Sequence, residues 1–214
     1  MKHWQPAFTR QDVSVNEDRC VYNGFFKMHQ LQLMHARFDG GQESVTREIF
    51  RRGNAVAVLL LDPLREELVL IEQFRPGALA APGGPWLLEL VAGMIETDET
   101  AKAVAERETQ EEAGLAVQHL TPIMGYLPSP GGMDEWIHLL YGFVHANAAE
   151  GLHGLADEGE DIRVLRLPVT AVFELLDAGQ LNNGAIIIAV QWLKLNYPSI
   201  RERGIELMQR DNEA

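Results

Sequence analysis

The segment Asp98–Ala113 (DETAKAVAERETQEEA), closed by Gly114, constrains this chain more than any other. It is rich in helix formers, offers Asp98 as an N-cap, and stops at glycine, the usual residue past a helix end. At about 100° per residue, Ala101, Val104 and Ala105 share one face, and continuing the 3.6-residue period puts Glu108 and Glu112 in the middle of that face with Glu111 beside them. The stripe that the first two turns mark as buried therefore turns into carboxylates. Three acids at i, i+3 and i+4 repel one another, and they sit at the negative end of the helix dipole. A solvated acidic face is the ordinary fate of a Glu-rich helix. Here the acids fall on the buried side, where charge requires a counter-ion or a metal. Oxygen ligands with no His or Cys among them suit Mg²⁺, with Mn²⁺ as a substitute, rather than zinc.

The rest of the chain must supply a core for this helix. Its 214 residues exceed the roughly 150 of a typical domain and allow one large domain or one with an appendage. Compact apolar runs at Asn54–Leu61, Leu68–Phe74 and Trp86–Ala92, separated by DPLREE and RPGALAAPGGP, read as strands of a buried sheet. Val117–Leu127, Trp136–Ala146 and Ile162–Leu167 read as further strands, and Val169–Ala178 and Ala185–Asn196 as helices. From Val13 to Phe50 the pattern is short and alternating, broken by Asp39-Gly40-Gly41, a hairpin signal. An N-terminal antiparallel sheet of that size cannot bury its own core and is expected to lean on the rest of the chain or on another subunit.

Charge narrows the partners. Eighteen basic against 31 acidic side chains give a net charge of −13, which repels a phosphate backbone, so no nucleic-acid partner is expected. Cys20 is the single cysteine, which rules out an intrachain disulfide and fits a reducing compartment. No stretch reaches the ~18 uninterrupted apolar residues of a membrane span, and the N-terminus lacks the pattern of a cleaved leader. No membrane association is expected, and the reading is cytoplasmic.

Gly93, Glu99 and the run Arg107-Glu108-Thr109-Gln110-Glu111-Glu112-Ala113-Gly114-Leu115, at these spacings, resemble the signature of the Nudix hydrolases, which cleave nucleoside diphosphates linked to another moiety. Thr109 departs from the usual aliphatic residue, at a position that concerns packing. Gly93 is expected to permit a sharp loop out of the strand Trp86–Ala92. Pro130, sixteen residues after Gly114, the run Gly151–Ile162 (GLHGLADEGEDI) and Arg47–Gly53 (REIFRRG) are similar to the bacterial ADP-ribose pyrophosphatase subfamily.

The resemblance implies an α+β Nudix fold, with a mixed β-sheet sandwiched between helices over residues 51–214 and a small N-terminal antiparallel sheet domain over residues 1–50. It implies metal ligation by Glu108, Glu112, the Ala92 carbonyl and Glu160, with Glu111 nearby, and a catalytic base at Glu158. It further implies substrate contacts from Phe25, Phe26, Arg47, Glu48, Arg52, Arg75, Ser129, Pro130, Gly131 and Glu135, and a domain-swapped homodimer. Guanidinium forks suit a diphosphate and aromatic faces suit adenine. The implied reaction is Mg²⁺-dependent hydrolysis of ADP-ribose to AMP and ribose 5-phosphate. Another ADP-sugar or a dinucleotide is the alternative substrate, and a non-catalytic nucleotide-binding module is the alternative class.

Overall fold

The computed structural model describes residues 3–155 and 159–213, with side chains to residue 211. The chain divides into two compact units, one of residues up to Gly53 together with Leu127–Glu135, the other of Asn54–Tyr126 and Trp136 onward.

The first unit is a three-stranded antiparallel sheet, β1 (Val13–Asn23), β2 (Lys27–Ala36) and β3 (Gln42–Arg51), in that order. The β2–β3 turn is the Asp-Gly-Gly hairpin, with Gly40 and Gly41 at φ of 92° and 78°, a region that side chains avoid. None of the three strands contains a buried residue, as expected of a sheet too small to form a core. The segment Leu127–Glu135 joins this unit through Phe50, whose N–H donates to the Gly132 carbonyl at 2.8 Å.

In the second unit, among the described residues, an eight-stranded mixed sheet is built from β4 (Ala55–Asp62), β5 (Glu67–Phe74), β6 (Trp86–Glu89), β7 (Val91–Met94), β8 (Gln118–Tyr126), β9 (Ile137–Phe143), β10 (Leu152–His153) and β11 (Ile162–Pro168). The main order is β10-β11-β5-β4-β9-β8, and the β4–β9 pair is parallel. Three helices cover it: α1 (Ala101–Ala113), α2 (Val169–Asp177) and α3 (Gly184–Glu213). Successive residues of β4 face opposite ways. Ala57, Leu59 and Leu61 enter a core with α2 and α3, whereas Val56, Val58 and Leu60 enter one with Val104, Ala105 and Ala113 of α1. Burial on both faces is why this strand reads as a continuous apolar run.

The expected single strand Trp86–Ala92 is two. β4 and β5 pair only over Leu60–Asp62 and then splay apart. β6 pairs with β5, and after a break at Leu90 β7 pairs with β4. The segment thus fills the wedge between the two strands and delivers Ala92 and Gly93 to the β4 side, beneath α1. Asp98 is not the N-cap of α1. It takes a positive φ of 71° in the preceding turn, and Thr100 caps instead, accepting from the Ala103 N–H at 3.2 Å. The expected helix Ala185–Asn196 extends through Pro198 to Glu213. The missing N–H of Pro198 is outweighed by packing, because Ile200, Gly204 and Met208 recur every four residues as a buried stripe. Gly204 is required there, since a Cβ would lie 2.6 Å from Phe143 Cε1 and 2.8 Å from Pro63 Cγ. Among the described residues no helix is long and apolar enough to cross a membrane.

Candidate active site

Helix α1 ends at Gly114 in the left-handed conformation, φ 66°, with its N–H returned to the Gln110 carbonyl. Its buried face carries Val104, Ala105, Thr109, Glu112 and Ala113. Glu112 is 2% exposed, and its Oε2 accepts from the Ala92 N–H of β7 at 3.0 Å. Glu108 lies against Gly93, where any Cβ would collide with its carboxylate. Gly93 has no positive φ and stands inside β7, so the expected loop-forming role is corrected: the glycine exists to let a carboxylate approach the strand. Thr109 is fully buried and its hydroxyl donates a hydrogen bond to the Ala105 carbonyl at 2.6 Å, which satisfies a polar group on a packing position.

Burial pushes the Glu112 carboxyl up to about 8, against the Ala92 hydrogen bond, and the Glu108 and Glu160 charges add to the rise. Burial likewise raises Glu108 to about 7, opposed by Arg107 and reinforced by Glu111 and Glu160. Arg107 is the local counter-charge, its Nη1 2.9 Å from both Glu108 Oε1 and Glu111 Oε2 and its Nε 3.7 Å from Glu99. Glu160 reaches back to the Leu155 N–H at 3.1 Å. Among the described residues no three acidic or imidazole groups close on one point, and two of these acids are paired with Arg107. Glu112 has no ion-pair partner among the described residues. An all-oxygen set with two carboxyls held against their preference for ionisation fits a hard divalent cation.

The pattern of the NUDIX domain matches residues 51–189 of the chain. The chain belongs to the Nudix family. It is 43% identical over 196 residues to an ADP-ribose pyrophosphatase of Escherichia coli (strain K12), covering 91% of this chain and 94% of the relative. It is 42% identical over 199 residues to an ADP-ribose pyrophosphatase of Haemophilus influenzae, covering 91% and 92%. A GDP-mannose pyrophosphatase of Escherichia coli O1:K1 is 28% identical over 192 residues, covering 87% and 97%. By sequence the chain groups with the bacterial ADP-ribose pyrophosphatases. A crystal structure of an ADP compounds hydrolase shares the Nudix fold, with a TM-score of 0.64 at 21% identity over 88% of this chain and 97% of that one.

The residues singled out in the sequence fall in both units of this Nudix protein. The second unit holds Ala92, Glu108, Glu111, Glu112 and Glu160, and also Arg75, whose Nε donates to the buried Glu89 at 2.8 Å. Glu158 lies outside the described residues. The first unit gathers Phe26, Phe25, Arg52 and Glu135. Phe26 meets Phe25 and Phe50 edge-on at 4.8 and 5.1 Å, the Arg52 guanidinium stands 5.7 Å from the Phe26 ring centre, and Arg52 Nε lies 3.2 Å from Glu135. Glu135 is raised by burial, with Arg52 opposing. A groove of about 310 Å³ is lined by Tyr22, Phe25, Phe26, Lys27, Met28 and Phe50. Ser129, Pro130 and Gly131 form an exposed turn, closed by Gly132 and Met133 N–H groups on the Ser129 carbonyl. Arg47 and Glu48 are exposed on β3, and among the described residues the Arg47 guanidinium donates only to the neighbouring Thr46 carbonyl. A larger groove of about 560 Å³ elsewhere in this unit, beside Phe8 and Phe38, contains none of these residues.

Sequence reading missed Glu89, which accepts from Arg75, Gln73 and Asn183 together. The available signal was the charge inside the apolar run WLLELVAG.

The raised carboxyls have a measurable consequence. A carboxyl with an ordinary value of 4.5 and a folded value of about 8 keeps its proton in the folded protein over a range where the unfolded chain has lost it. Metal-free protein should therefore lose stability as pH climbs from about 4.5 to about 8, and level off above. In Glu112→Gln this slope should flatten in thermal melts, the variant melting no lower than the parent at pH 8, and calorimetric Mg²⁺ affinity should drop about tenfold or more. An unchanged Mg²⁺ affinity would remove Glu112 from the metal site.

Proposed function

We propose that the protein hydrolyses the pyrophosphate bond of ADP-ribose to AMP and ribose 5-phosphate, in the cytoplasm, with Mg²⁺ as the working cation and Mn²⁺ able to replace it. The observation that carries this reading is the carboxylate pair of buried Glu112 and half-buried Glu108, packed on Ala92 and Gly93, in a chain 43% identical to an ADP-ribose pyrophosphatase. Glu108, Glu112, Glu160 and the Ala92 carbonyl would hold the cation, with Glu111 beside them. A bound divalent cation supplies neutralisation of diphosphate charge and polarisation of the attacked phosphorus.

The chain's own residues do the rest. Water attacks one phosphorus, the bridging P–O bond breaks, and the proton of the water passes to a carboxylate that is not already committed to a cation, assigned to Glu158. Arg75 offers its guanidinium to the diphosphate oxygens. Phe25 and Phe26 present ring faces to the adenine, and Arg52 and Glu135 fix polar groups of the substrate beside them. Arg47, Glu48 and the Ser129-Pro130-Gly131 turn complete the substrate contacts. The functional protein is a homodimer in which the first unit is exchanged, so that each active site draws residues from both subunits. The exposed, coreless three-stranded sheet supports this arrangement, since its apolar side chains Val15, Val21, Tyr22 and Phe25 need cover.

A GDP-sugar is the second substrate reading, prompted by relatives at 28% identity named GDP-mannose pyrophosphatase.

Incubating the protein and Mg²⁺ with ADP-ribose, ADP-glucose, GDP-mannose, NADH and diadenosine polyphosphates should put ADP-ribose first in kcat/KM. A tenfold preference for any other member of that panel would overturn the substrate assignment. Glu158→Gln should lower kcat by about a hundredfold with little change in substrate affinity, whereas Glu160→Gln should raise the Mg²⁺ concentration for half activity. Opposite phenotypes would exchange the two roles. Mixing inactive Arg47→Ala and Glu112→Gln subunits should restore part of the activity through hybrid dimers, and a monomer by light scattering would eliminate the exchanged arrangement.

A further inference from the structure

Glu89 is 4% exposed, yet it is an ionisable group in the middle of an apolar segment. The other deeply buried acid with a full set of donors, Asp62, is satisfied chiefly by backbone: it accepts from the Leu64, Arg65 and Ala146 N–H groups and from the Arg65 side chain, and so stitches a turn together. The partners of the Glu89 carboxylate among the described residues are all side chains, drawn from two places in the second unit, the end of β5 and the start of α3. Its Oε2 accepts from Gln73 Nε2 at 3.2 Å and Arg75 Nε at 2.8 Å, and its Oε1 accepts from Asn183 Nδ2 at 2.6 Å. The pairing Ile71↔Glu89 explains half of this. Residues opposite one another share a face, and the period of two puts Gln73 and Arg75 on the face of Ile71. The other half comes from Asn183, which uses its Oδ1 to cap α3 by accepting from the Ala185 N–H at 2.9 Å, leaving only its amide N–H₂ for Glu89.

Arg75 itself is held by one corner. Nε is bonded, whereas Nη1 and Nη2 make no hydrogen bond among the described residues, and the side chain is 40% exposed. A long guanidinium stem left free in solvent would lose much rotamer freedom on engaging an anion. Clamping Nε removes most of that cost in advance and keeps the Nη fork open. Arg75 also lies within Coulombic reach of Glu112. Without a fixed partner, an arginine there would fold onto the carboxylate cluster.

We propose that Glu89 and Asn183 are positioning residues, which grip Arg75 through Nε and thereby present its Nη pair to the diphosphate of the substrate. The inference rests on the reading of Arg75 as a diphosphate ligand. Asn183 is the outer link, and it ties the orientation of the guanidinium to the start of α3.

The test compares Arg75→Ala, Glu89→Gln, Asn183→Ser and the double variants in KM and kcat for ADP-ribose, and in calorimetric binding of ADP-ribose to metal-free protein. Serine keeps the helix cap and drops the amide donor, so Asn183→Ser probes the link with Glu89 and the fold intact. Glu89→Gln and Asn183→Ser should each raise KM and Kd about tenfold with kcat within about twofold. Neither should add anything in the Arg75→Ala background, which a merely structural role would not produce. Additive effects in that background, or lowered melting temperatures with KM and Kd unchanged, would overturn the proposal while leaving Arg75 as a ligand. An Arg75→Ala variant with parental KM and Kd would remove both the ligand reading and the inference built on it.

Discussion

Two carboxylates of α1 are pressed against a β-strand. Glu112 accepts a backbone N–H from Ala92, and Glu108 occupies the space that a side chain on Gly93 would fill. Neither contact is what a helix needs to be stable. Like charges one turn apart on a buried face, near the negative end of the dipole, all oppose folding, and burial raises both carboxyls to about 7 and 8 as a result. The cost is tolerable because the opposing contributions are large: the same helix buries Val104, Ala105 and Ala113 in the α1-side core. The strain on the acids is held in place by packing that has nothing to do with them.

That arrangement depends on how the sheet is built below it. The splaying of β4 from β5 opens a wedge, and the segment Trp86–Met94 fills it by changing partners at Leu90. The first half places Glu89 opposite Ile71, on the face that carries Arg75, and the second half places Ala92 and Gly93 under α1. One short segment therefore serves both signs of charge: an acid that holds a cationic side chain, then backbone groups that receive acidic ones. Arg107 completes the balance at the outer edge by pairing with Glu99, Glu108 and Glu111.

The first unit works under a different constraint. Its strands bury nothing fully, and its order comes from pairing, from the Phe25–Phe26–Phe50 ring cluster and from ion pairs such as Arg51 with Asp18 and Asp134. A sheet with so little interior leaves aromatic side chains such as Tyr22 and Phe25 accessible, which is a poor basis for stability.

Periodicity and local chemistry were enough to determine much of this protein. The phase of Ala101, Val104 and Ala105 put Glu108 and Glu112 on the buried face, Gly114 marked the helix end, the apolar runs became the doubly covered sheet, and Asp39-Gly40-Gly41 became the hairpin. These features are carried by residues close in sequence, where a 3.6- or 2-residue repeat is decisive. Tertiary structure decided the rest. The cap moved from Asp98 to Thr100 because the preceding turn needed a positive φ at Asp98. α3 ran through Pro198 because Ile200, Gly204 and Met208 had a core to pack on. Gly93 proved to serve Glu108, fifteen residues away, and Glu89 proved to join Gln73, Arg75 and Asn183. A contact between distant residues leaves no period in the sequence. It depends on which strands pair and where one of them breaks, and those are properties of the folded chain as a whole.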